Sequence, residues 1–146
     1  MLAIDFGSRR IGLAISDAEG IFAFPAGVLE RRGEGKDLAS LRELAAERGV
    51  VQIVVGLPIH MDGREGPEAR AARAFAAALG RETGLEVKMF DERWTSREAE
   101  RALAMRGRGD ARRRRPAEKG QVDATAAAIL LRTWLERSAR GGEGER

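Results

Sequence analysis

MLAIDFGSRRIGLAISD, running from Met1 to Asp17, is the stretch from which the rest of the chain can be read. Two apolar runs, Met1–Ile4 and Ile11–Ile15, flank a short polar turn at Gly7-Ser8-Arg9-Arg10. Ile, Leu and Ala at alternate positions suit strands packed on at least one face. So short a link makes the pair antiparallel, because a parallel pair needs a crossover of about a dozen residues or more. Asp5 stands at the end of the first, mostly buried strand. An unpaired buried charge costs several kcal/mol, so this acid needs a cation, a hydrogen-bond network or a metal.

Outward from the hairpin, Ile21–Leu29 reads as a third strand, with Pro25 in its middle. Proline cannot donate to a ladder, which predicts an edge position. Leu38, Leu41, Leu44 and Ala45 recur at helical spacing between Asp37 and Arg48, and Gly49 follows as a stop. Val50–Leu57 is almost continuously apolar and β-branched, the pattern of a strand covered on both faces. After a loop over Pro58–Gly66, Pro67 opens an Ala-rich helix to about Glu82, with Gly84 as its stop. Leu85–Phe90 alternates as a fifth strand and ends in Asp91-Glu92-Arg93. Thr95-Ser96-Arg97-Glu98 has a capping-box pattern and predicts a helix to about Met105. Arg106–Gly120 reads as an exposed loop, and a last helix runs from near Val122 to about Ser138. Residues 1–138 form the expected domain, followed by a disordered tail over 139–146.

The order predicts an α/β fold: a mixed five-stranded sheet, an antiparallel three-strand meander plus two parallel strands, flanked by helices. At 146 residues this is one domain. No apolar run is long enough to span a bilayer, and Met1 opens directly into a strand, so a cytosolic protein with no membrane partner is expected. The chain has no cysteine and one histidine, His60, which removes thiolate and histidine-rich metal sites. Metal chemistry would rest on Asp and Glu oxygens, which select hard cations such as Mg²⁺ or Mn²⁺.

Ligand sites in such sheets lie at the carboxyl ends of the parallel strands. Asp5 and the Asp91-Glu92 pair emerge there. Asp123, Ala127, Leu130 and Trp134 follow i, i+4, i+7, i+11, which puts Asp123 on the helix stripe facing the sheet. Three acidic positions aimed at one crevice repel one another unless divalent cations lie between them. Such cations can support phosphodiester hydrolysis.

Simpler explanations compete at each position. Asp5 could pair with Arg9 or Arg93, Asp123 could favour the positive end of its helix dipole, and Asp91-Glu92-Arg93 could be a turn with an internal ion pair. Taken singly these weigh as much or more; the joint arrangement favours metal. Six arginines between Arg106 and Arg115 could be a solvated run or a phosphate-binding arm. Trp94 and Trp134 suit core packing, and His60 a solvated loop. Asp5-Phe6-Gly7-Ser8 also resembles the phosphate-binding hairpin of actin-like ATPases and sugar kinases, but those close two domains around a nucleotide and this chain has room for one.

IDFGSRRIGLAISD, VVGLPIHMDGREG, VKMFDERWTSREAE and KGQVDATAAAILL, in that order and spacing, resemble the YqgF family, also called RuvX. The resemblance runs from Met1 to about Glu136. It implies an RNase H-like fold and either Holliday junction resolution or maturation of the 5′ end of precursor 16S ribosomal RNA. It further implies that Asp5, the pair Asp91-Glu92 and Asp123 are the active-site acids, with Glu92 favoured within the pair. His60 stands where the family usually has asparagine, while Asp62-Gly63 is kept. The run Arg112-Arg113-Arg114-Arg115 before Lys119-Gly120 is richer than usual.

The leading expectation is a metal-dependent nuclease acting on precursor ribosomal RNA. Asp5, Glu92 and Asp123, with Asp91 beside them, would hold Mg²⁺ or Mn²⁺. Ser8, Arg9, Arg93, Arg112, Arg113, Arg114 and Lys119 would contact the substrate. A pre-ribosomal particle or ribosome is the expected partner, and four-way branched DNA the alternative substrate. A third reading is a nucleic-acid-binding assembly factor without cleavage of its own.

Overall fold

The computed structural model describes residues 1–94 and 116–139. Five strands, β1 (Leu2–Phe6), β2 (Arg10–Ser16), β3 (Ala23–Glu30), β4 (Gln52–Leu57) and β5 (Glu86–Asp91), form one sheet in the order β3-β2-β1-β4-β5. β1–β2 and β2–β3 are antiparallel; β1–β4 and β4–β5 are parallel. The expected architecture and the edge position of the Pro25 strand are both present. A bulge between Leu13 and Ala14 lets β2 accommodate that strand, and Pro25 lies opposite Ala14. The strand starts at Ala23 rather than Ile21, because Asp17 Oδ1 accepts the backbone N–H groups of Ile21 and Phe22 and holds them in a turn.

Strand alternation divides the sheet into two cores. Leu2, Ile4, Ile11, Leu13, Ile53, Val55, Leu57 and Met89 face helices α1 (Glu34–Glu47) and α2 (Pro67–Thr83). Ala3, Ala14, Val54 and Phe90 face α3 (Pro116–Ala139), whose Ala127, Leu130 and Trp134 form the expected sheet-facing stripe. The small residues Ala3 and Ala14 let α3 lie close over β1 and β2. Phe90 meets Trp134 edge-on at 5.7 Å, which locks the far end of the helix to β5.

Two helix starts also differ from the sequence expectation. α1 starts at Glu34, three residues before Asp37, and buried Asp37 accepts the Arg32 N–H at 2.9 Å, tying the preceding loop to the helix. α3 starts at Pro116, so residues 116–120 are helical and not loop. Proline is preorganised for a first helical position, where its missing N–H costs nothing. The expected helix over Thr95–Met105, the arginine run Arg106–Arg115 and the tail from residue 140 lie outside the described residues. Among those that are described, no helix is long and apolar enough to cross a membrane.

Candidate active site

The register of the sheet sets the site. Asp5 on β1 is opposite Gly12 on β2. On the other side, the β1–β4 pairing ends at Ile4–Val55, so Asp5 comes level with Gly56, which itself pairs with Phe90 on β5. Asp5 thus lies between two glycines, on the α3 side of the sheet by alternation from Ala3.

Each glycine leaves room for another acid. A Cβ on Gly12 would run into the backbone carbonyl of Asp123 and lie 3.2 Å from its Cβ. That contact seats the N-terminal part of α3 against β2. A Cβ on Gly56 would collide with Glu92 Oε1 and with Leu130 Cδ1. Glycine in these strands therefore makes space for side chains arriving from outside the sheet.

Glu92 opens a short 3₁₀ turn, Glu92–Trp94, just past the end of β5. Its carboxyl and that of Asp5 hydrogen-bond to each other, and Asp123 is near enough to act on Asp5 through its charge. Burial and the Asp5 charge push the Glu92 carboxyl up to about 8. Burial also raises Asp5; its bond to Glu92 opposes that shift and the Asp123 charge adds to it. A hydrogen bond between two carboxyls requires one of them to keep its proton.

Asp91 behaves differently from its neighbour. It is 2% exposed and shares the alternation of Met89, toward the α1/α2 side. Its carboxylate takes the Arg93 backbone N–H at 2.9 Å and the Arg93 guanidinium at 2.6 Å. That bond geometry shapes the turn that delivers Glu92 to Asp5. Of the paired acids, Glu92 meets Asp5, while Asp91 and Arg93 bind each other.

The turn bearing Ser8 and Arg9 is held from below. Gly7 N–H donates to Arg10 O at 3.0 Å, and Arg31 N–H donates to Arg9 O at 3.0 Å. The Arg31 guanidinium lies 4.5 Å over the Phe6 ring, reaches Gly7 O at 3.3 Å, and meets Asp37. Ser8 and Arg9 themselves are exposed. His60 is exposed in a loop closed by its own backbone bonds to Arg64 and Gly63. Arg112, Arg113 and Arg114 lie outside the described residues; Lys119 falls within α3, and its side chain is not described.

Arg10, which the sequence did not single out, lies among these acids. Its Nε donates to Asp123 Oδ2 at 2.7 Å. The signal was its parity: Arg10 shares the face of Gly12, and so faces α3, whereas Arg9 sits at the turn. With Asp123 turned to Arg10, no group of three or more acidic or histidine side chains among the described residues is gathered to hold a metal as it stands.

A mixed five-stranded sheet of this order, with helices on both faces, is the RNase H-like fold. In overall fold the chain matches RuvC of Thermus thermophilus solved in complex with a Holliday junction substrate, with a TM-score of 0.62 at 19% identity over 100% of this chain and 99% of that one. A family model described as RuvX, Holliday junction resolvase, matches residues 1–137, and the chain belongs to that family. A protein of Anaeromyxobacter dehalogenans (strain 2CP-C), named "Putative pre-16S rRNA nuclease", is 48% identical over 138 residues, 94% of this chain and 97% of its own length. One of the same name from Maridesulfovibrio salexigens is 42% identical, over 94% of this chain and 98% of its own.

Proposed function

We propose that this chain is a cytoplasmic, divalent-metal-dependent nuclease that cleaves precursor 16S ribosomal RNA in the maturation of its 5′ end. The observation that carries the reading is the contact of Glu92 with Asp5 beside Gly56, with Asp123 packed on Gly12 at the other side of Asp5. The donor chemistry fits Mg²⁺ or Mn²⁺: the three acids offer only oxygen ligands, and two of them now share a proton where a hard cation could bind instead. Asp5, Glu92 and Asp123 would hold the metal. Bound there, it would supply activation of the attacking water and relief of charge on the scissile phosphate.

The chain's own residues do the rest. Asp91 fixes the Arg93 backbone and so aims Glu92. Ser8 and Arg9, on a turn braced by Arg31, face incoming backbone phosphates. Arg93, Lys119 and the arginines 112–114 add positive charge for nucleic acid, with pre-ribosomal RNA or particles as the setting. Asp5 belongs to the reacting centre and not to the apolar core, so Asp5→Asn should abolish cleavage while preserving the fold.

A second reading changes only the substrate. The family's description and the shared fold with a junction-bound RuvC favour a four-way DNA junction. Both are tested by incubating wild type and Asp5→Asn with precursor 16S RNA and with junction DNA, each with and without Mn²⁺. Metal-dependent cleavage of the RNA, lost in Asp5→Asn, supports the first reading; symmetrical cutting of the junction alone supports the second. Nucleic-acid binding without cleavage of either, at any Mn²⁺ concentration, overturns both in favour of a binding factor.

A further inference from the structure

The bridge between Arg10 and Asp123 occupies the carboxylate that the acidic trio needs to close around a cation. Arg10 opens β2, and α3 brings Asp123 to it. The pair is accessible: its side chains are 25% and 28% exposed, unlike the ion pair at Asp91, whose carboxylate is 3% exposed. Glu30, opposite Arg10 on β3, adds a second negative charge beside the guanidinium. A divalent ion at Asp123 would carry twice the charge of the guanidinium and would be attracted by Asp5 and Glu92 as well, which favours it over the guanidinium for that oxygen. The displaced guanidinium remains tethered at the rim of the site, beside the exposed turn of Ser8 and Arg9. A planar fork of donors in that place suits a backbone phosphate.

We propose that Arg10 is a positioning residue that exchanges partners: it holds Asp123 in the metal-free protein, yields it to the divalent cation, and then binds a phosphate of the nucleic acid. This exchange rests on the reading of Asp5, Glu92 and Asp123 as cation ligands. It makes metal and substrate binding cooperative, because each step removes a partner that would otherwise retain Arg10 or Asp123.

The test is calorimetric titration of Mn²⁺ into substrate-free wild type, Arg10→Gln, Arg10→Lys and Asp5→Asn, with circular dichroism melts to establish that each is folded. Removing an exposed competing ion pair should tighten Mn²⁺ binding about two- to fivefold in Arg10→Gln, with Arg10→Lys between it and wild type. RNA affinity is then measured against salt. In Ca²⁺ the slope of log K on log salt should fall by about one in Arg10→Gln, while in EDTA the two slopes should agree. Mn²⁺ binding that depends on Asp5 but is equal or weaker in folded Arg10→Gln and Arg10→Lys overturns the exchange and leaves the metal reading standing. Equal salt slopes in Ca²⁺ overturn the phosphate contact. No Mn²⁺ binding to wild type or to Arg10→Gln overturns the metal reading together with the exchange.

Discussion

The carboxylate of Glu92 lies over Gly56, so close that a Cβ on the glycine would strike its Oε1. One strand residue without a side chain thus lets an acid from beyond the neighbouring strand reach Asp5. Gly56→Ala would also press on Leu130 Cδ1 in the α3 core. Overpacking of this kind costs about 1–3 kcal/mol. Thermal melts should show that loss, and cleavage should fall further than stability does, because Glu92 is driven off Asp5.

Gly12→Ala should be the more damaging change. The obstructing atom is the Asp123 backbone carbonyl, which cannot swing aside as a side chain can, so α3 itself has to shift. Urea midpoints should rank Gly12→Ala below Gly56→Ala. Gly35→Ala is the contrast: within α1 and with open space around its Cα, it should stabilise by about 1 kcal/mol through helix propensity.

Those two glycines mark where the sequence was legible and where it was not. The strands, the first two helices, the parallel pairing and Asp5 near the carboxyl end of a central strand all followed from apolar periodicity and loop length. Asp123 followed from its spacing to Ala127, Leu130 and Trp134. Gly12 and Gly56 interrupt β-branched runs in VVGL and RIGL, and a glycine within a strand signals close approach, but only the register reveals that both flank Asp5. The division of labour between Asp91 and Glu92 was hidden for the same reason. Strand alternation places them on opposite faces once the end of β5 is known. The Arg10–Asp123 pairing spans 113 positions, beyond any local pattern. Residues 116–120 looked like loop because glycine, proline, the arginine run and little apolar content read as a break, whereas Pro116 is the first helical residue.

The two acids at positions 91 and 92 should separate cleanly on mutation. Asp91→Ala removes the buried carboxylate that anchors the Arg93 backbone and guanidinium and should lower the urea midpoint. Glu92→Gln keeps the shape of the side chain and removes only its ability to ionise. It should abolish cleavage with little loss of stability.

Metal-free stability should fall as pH rises from about 4.5 to about 8. Glu92 is raised to about 8 in the folded chain, so across that window the native state holds a proton that the unfolded state has released. Its contribution is complete below the unfolded value and disappears as pH passes the folded one. One such proton gives at most about 1.4 kcal/mol per pH unit. Asp17, whose carboxylate is lowered by the backbone N–H groups of Phe22 and Ile21, acts only at more acid pH and does not mask the effect. Chemical denaturation at pH 5, 6.5 and 8 should show the decline in wild type and a flatter profile in Glu92→Gln. Mn²⁺ should restore stability most at pH 8, where it no longer competes with the proton.

Anomalous diffraction from crystals soaked in Mn²⁺ at pH 8 tests whether these acids are cation ligands at all. The expected result is a peak bonded to oxygens of Asp5 and Glu92, with Asp123 turned toward it and away from Arg10. Saturating Mn²⁺ that gives no peak there, with Asp5 and Glu92 still hydrogen-bonded to each other, would contradict it.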